Sequence, residues 1–101
     1  MPKIFEYFGI ILLFYSNEHE PVHVHGKYQG HESKAEFILV NGQIKDILIK
    51  AVKGRKPLPP AQLRDFKSFT AVYADEIVAK WVDYFVYHRQ FECQRIDEKV
   101  K

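Results

Sequence analysis

The side chains with the greatest chemical capacity in this 101-residue chain are two histidines, His23 and His25, separated only by Val24. In an extended segment both imidazoles project from one face, and Val22, Val24 and Gly26 from the other. A same-face pair can do two kinds of chemistry. Neutral ring nitrogens can chelate zinc, nickel or copper. Imidazole also titrates near neutral pH, so the pair can serve as general acid and base without any cofactor. A catalytic zinc would need a third protein ligand. His31 just past the pair, His19 in the preceding loop, and Glu18, Glu20 or Glu32 are the local candidates. The metal reading therefore rests on His23, His25 and His31 with a divalent transition metal, and the catalytic reading on His23 and His25 alone. The plainest alternative is a half-exposed strand whose histidines hydrogen-bond to their neighbours. No P-loop, dinucleotide fingerprint, H-E-x-x-H helix or paired-cysteine motif is present.

The elements that must position this pair read as strands first and helices second. Lys3 to Tyr7 and Gly9 to Ser16 are dense in Ile, Leu, Phe and Tyr, with Gly9 as the bend between them. Pro21 ends a polar break that begins at Asn17. Val22 to Gln29 forms a third strand, and Gly30 separates it from Ser33 to Val40. Asn41-Gly42 is a type I′ hairpin signal that pairs Ser33–Val40 with Gln43–Val52. Lys53 to Pro60 is a stiff, proline-rich linker, and Pro60 suits a first helical turn. Apolar residues then recur at helical spacing from Leu63 to His88, divided into two helices with Asp75 as the N-cap of the second. The expected fold is α+β: an antiparallel β-meander of about four to five strands, then two C-terminal helices packed on one face. Residues 1–91 form the single domain and 92–101 a polar, flexible tail. Trp81 and the helical Phe and Tyr residues read as core, His88 as a surface or edge residue, and Cys93 as an isolated thiol.

Charge is concentrated rather than large. The net charge is +2, yet residues 43–67 carry Lys45, Lys50, Lys53, Arg55, Lys56, Arg64 and Lys67 against Asp46 and Asp65. Such a segment could meet RNA or an acidic protein, with Lys53, Arg55 and Lys56 as the anion or partner contacts. Because no aromatic residue is interleaved from Lys45 to Arg64, a lysine-rich strand edge that stays soluble is the simpler reading. The single cysteine excludes an internal disulfide framework. The apolar run Gly9 to Tyr15 is too short to span a bilayer and lacks the flanks of a signal peptide, so a cytoplasmic protein without a membrane role is expected.

Three stretches stand out: the opening Met1-Pro2-Lys3-Ile4-Phe5, the block from Phe14 through Asn17-Glu18 to Pro21-Val22-His23-Val24-His25, and the helical pattern Ile77, Trp81, Phe85. Together they resemble a small bacterial family, the "domain of unknown function 4160" family. The resemblance covers nearly the whole chain and places His23 and His25, with Asn17, Glu18 and Pro21, at its recurring motif. Gly26 departs from it, standing where many members carry a β-branched residue. The family has no established activity. Its genes commonly lie beside another small open reading frame, a layout like that of toxin–antitoxin modules. The resemblance thus implies an interaction component with a small protein partner encoded nearby. A small metal-independent ribonuclease using His23 and His25 and a metal-binding module are the alternatives.

Overall fold

The computed structural model describes residues 2–15 and 21–100. Along the chain run β1 (Lys3–Tyr7), β2 (Ile10–Leu13), β3 (His23–Tyr28), β4 (His31–Val40), β5 (Gln43–Ala51), α1 (Pro60–Val72), α2 (Ala74–Phe85) and β6 (Gln94–Ile96). The sheet order is β5-β4-β3-β2-β1-β6, so the first five strands form an antiparallel meander. The architecture is α+β, as expected.

Three of the hairpins turn on two residues, both with positive φ: Phe8-Gly9, Gln29-Gly30 and Asn41-Gly42. That is the type I′ geometry, whose twist matches that of the flanking strands. Asn41-Gly42 announces it in sequence. At the other two turns only the glycine does, and Phe8 and Gln29 take a left-handed backbone that such residues seldom adopt.

Pairing fixes the faces. Leu12 lies opposite Gly26, and Val24 opposite Ala35, on the side that the helices cover. Phe5, Tyr7, Ile10, Leu12, Val24, Ala35 and Phe37 meet Phe66, Phe69, Ile77 and Trp81 there in one buried core. Phe5 meets Phe69 edge-on at 5.2 Å, and Tyr7 approaches the same ring at 4.6 Å. Each fully buried ring of this kind contributes about 1.5–3 kcal/mol of transfer free energy. Gly26 permits the closest approach: a Cβ there would lie 2.6 Å from Phe66 Cε1. A glycine at position 26 therefore has a packing cause.

Two expectations need correction. The segment read as a flexible tail contributes β6, which pairs in parallel with β1, Phe5 opposite Gln94 and Tyr7 opposite Ile96. Val100 N–H donates to Tyr7 Oη at 3.0 Å, and Lys99 pairs with Asp65 at 2.6 Å. The backbone edge of β1 supplies what the polar sequence lacks, and the sheet gains a sixth, parallel strand. The helix break falls at Tyr73 rather than Asp75. Asp75 and Glu76 occupy the first turn of α2, where the helix dipole favours acidic groups, and no side chain caps it. Among the described residues no helix is long and apolar enough to cross a membrane.

Gly26→Ala should force the Phe66 ring out of its place. A loss of about 1–3 kcal/mol is expected, read as a lower urea midpoint with an unchanged m-value.

Candidate active site

The histidine pair lies on the sheet face opposite the helices, on the same side as Glu32, Lys34 and Glu36 of β4. His25 pairs with Lys34 and His23 with Glu36, while Lys27 pairs with Glu32. Both rings are buried, to 5% exposure for His23 and 2% for His25. Their centroids are 5.1 Å apart at 69°.

Each ring is tethered through the same nitrogen. His23 Nδ1 lies 2.6 Å from the Pro21 carbonyl, and His25 Nδ1 lies 2.9 Å from Glu32 Oε2. A carbonyl or a carboxylate oxygen only accepts, so Nδ1 carries the proton in both rings.

Glu32 is the centre of this cluster and is itself 2% exposed. Tyr15 Oη donates to the same Oε2 at 2.9 Å, and the Tyr15 ring meets His25 edge-on at 4.3 Å. Burial pushes the Tyr15 phenol up, opposed by Lys27 and reinforced by Glu32, so it remains a donor at neutral pH. Glu32 Oε1 has no hydrogen-bond partner among the described residues; Arg55 Nε stands 3.7 Å away as its ion-pair partner.

Arg55 reaches this site because the linker after β5 is bound to the start of β4. Glu32 N–H donates to the Lys56 carbonyl at 2.8 Å, and Leu58 N–H donates to Ser33 Oγ at 3.1 Å. The basic segment and the histidines, distant in sequence, are thus joined through Glu32. Lys53 and Lys56 are exposed on the same linker, and Lys56 takes part through its backbone. Further along the face, Glu36 pairs with Lys50 at 2.9 Å and Lys34 at 3.6 Å. The Lys50 hydrogen bond, against the opposing effect of burial and with help from Lys34, holds the Glu36 carboxyl below its ordinary range.

The expected metal triad does not assemble. His31 is on the opposite side of β4 from Glu32, as alternation requires, and its Nδ1 lies 3.0 Å from the Pro57 carbonyl. Among the described residues no group of three or more His, Cys, Asp or Glu is arranged to hold a metal. Asn17 and Glu18 of the motif, with His19 and Glu20, lie outside the described residues. Pro21, the remaining motif position, contributes its carbonyl to His23. Glu32 serves as the partner of His25. Sequence reasoning missed Tyr15, two residues beyond Leu13, which pairs with His25; extending the alternation of β2 would have put it on this face. Of the remaining candidates, Trp81 is core, whereas His88 and Cys93 are exposed.

Two stability measurements test this arrangement. Glu32→Ala removes the acceptor of two donors at a buried site, and a loss of about 1–3 kcal/mol is expected by urea denaturation. The folded Glu36 carboxyl titrates below its unfolded value, so its contribution is complete above the unfolded range and disappears as pH falls through the folded value. Unfolding free energy should therefore fall less steeply between about pH 6 and 3 in Glu36→Gln than in the parent chain.

No curated protein and no solved structure matches the chain. The model of one family, described as a domain of unknown function (DUF4160), matches residues 9–82, which include the histidine strand, Glu32, Arg55 and most of both helices. The chain belongs to that family.

Proposed function

We propose that the chain is a small, metal-independent ribonuclease and the catalytic member of a two-gene, toxin–antitoxin-like module. The observation that supports this reading is the placement of two imidazoles, 5.1 Å apart, beside the Glu32 carboxylate that Arg55 of the basic linker also reaches. His25 is the better base, because the Glu32 carboxylate stabilises the imidazolium formed when it takes a proton. His23, held by a neutral carbonyl, is the better acid.

In the reaction, His25 Nε2 removes the proton from a ribose 2′-hydroxyl as O2′ attacks the adjacent phosphorus. The P–O5′ bond breaks, and O5′ takes a proton from protonated His23 Nε2. The products are a 2′,3′-cyclic phosphate and a free 5′-hydroxyl. Arg55, exposed by 53% beside Glu32, is suited to the growing phosphate charge, with Lys53 and Lys56 on the same linker. Rings this buried are out of reach of a duplex, so an unpaired nucleotide is the expected substrate. Such chemistry needs no cofactor. A small protein encoded by the neighbouring gene would restrain the enzyme in the cytoplasm, in keeping with the gene layout of the family it resembles.

Purified chain should cleave single-stranded RNA in the presence of a chelator, leave DNA intact and produce cyclic-phosphate ends. His23→Asn and His25→Asn should each lower the rate by about 10²- to 10⁴-fold, with circular dichroism confirming that they fold. Activity that survives in the folded double variant would overturn the assignment. Activity abolished by the chelator would replace it with the metal reading.

A further inference from the structure

The outer edge of β5 is a second chemically distinct surface, remote in role from the histidine face. β5 is the last strand on its side of the sheet, and among the described residues no strand lies beyond it. The hairpin that it forms with β4 displays Ile38, Leu39, Val40 and Leu48, each between 36% and 44% exposed. From Gln43 to Lys56 the chain carries five basic residues against Asp46 alone, a net +4. Lys45 is the extra residue of a bulge: Ile38 pairs with Asp46, and Leu39 skips to Ile44.

A bulge and exposed lysines are devices that keep an edge strand from pairing with copies of itself. Lys50 and Arg55 pair with Glu36 and Glu32, so the segment presents Lys45, Lys53 and Lys56 against Asp46; a second copy would set these like charges against one another, which is destabilising across a strand pair. RNA could match the charge, but it cannot extend a peptide ladder, and residues 43–56 offer no aromatic side chain for base stacking. An acidic polypeptide in extended form satisfies all three features at once. Its backbone completes the ladder, an apolar side chain reaches exposed Leu48 on β5, and its carboxylates meet Lys45 and Lys53. The features that repel the wrong partner therefore select this one.

We infer that the β5 edge takes an extended, acidic segment of a partner protein as a seventh strand. Asp46 is the local competitor: its Oδ1 accepts from the Ile47 N–H at 2.8 Å in an exposed hydrogen bond. This surface does not require the histidine pair and survives failure of the nuclease reading.

Binding of two labelled, end-capped octapeptides to the intact chain, followed by fluorescence anisotropy, tests the proposal. One alternates Glu with Val and the other Lys with Val. The Glu peptide should bind at least about tenfold more tightly, and salt should weaken it. Lys45→Glu combined with Lys53→Glu should reverse the preference, whereas Asp46→Ala should strengthen binding of the Glu peptide. Hydrogen exchange should slow within residues 43–51 on binding, and the folded His23→Asn/His25→Asn chain should bind equally well. Equal affinity for the two peptides, no binding to either, or protection confined to other strands would overturn the inference. A free chain that dimerises through β5 would assign the edge to a second copy instead.

Discussion

A carboxylate removed from water must find donors, and the satisfaction of Glu32 organises much of this molecule. Burial of an isolated charge costs several kcal/mol. Here the cost is offset by donors or cations from three parts of the chain: Tyr15 beyond β2, His25 on β3 and Arg55 on the linker. One requirement thereby fixes the exit of β2, the orientation of a histidine ring and the path between sheet and helices. The linker backbone reinforces that path through Lys56 and Ser33. Three prolines stiffen the segment but leave its direction open, and the contacts with the start of β4 supply it.

The two faces of β3 act on one another through the backbone. Val24 and Gly26 point into the helix-covered core, and His23 and His25 point away from it. Because Gly26 admits Phe66 to contact distance, α1 packs directly against the strand behind the histidine pair. The imidazoles are thus held from behind by apolar packing and from the front by Nδ1 hydrogen bonds. A site that keeps its geometry before any ligand arrives needs both kinds of support.

Much of this arrangement was legible in the sequence where local rules dominate. Alternation put His23 and His25 on one face, and Asn41-Gly42 specified its hairpin with both turn residues. The meander followed from short apolar runs divided by glycine and proline. What was not legible depends on contacts between distant residues. Gln94–Ile96 has no strand pattern of its own and becomes a strand because β1 offers it a partner. The helix break at Tyr73 carries no capping signal. His31 and Glu32 fell between recognised strands, so neither could be assigned a face. Once β4 is seen to begin at His31, alternation separates them and sends Glu32 to His25. The reach of Arg55 to the same site depends on the pinned linker, which no local pattern encodes.

The parallel pairing of β6 with β1 also bears on the order in which the molecule folds. The Phe8-Gly9, Gln29-Gly30 and Asn41-Gly42 hairpins each close over two residues and need little chain entropy to form. By contrast, Phe5 and Gln94 are separated in the chain by four strands and both helices. Closure of so long a loop belongs late in folding, and three strand residues give it little cooperative depth. The same bookkeeping in reverse makes β6 the first strand to separate when the native state opens locally, so the two ends of one sheet differ in lifetime as well as in chemistry.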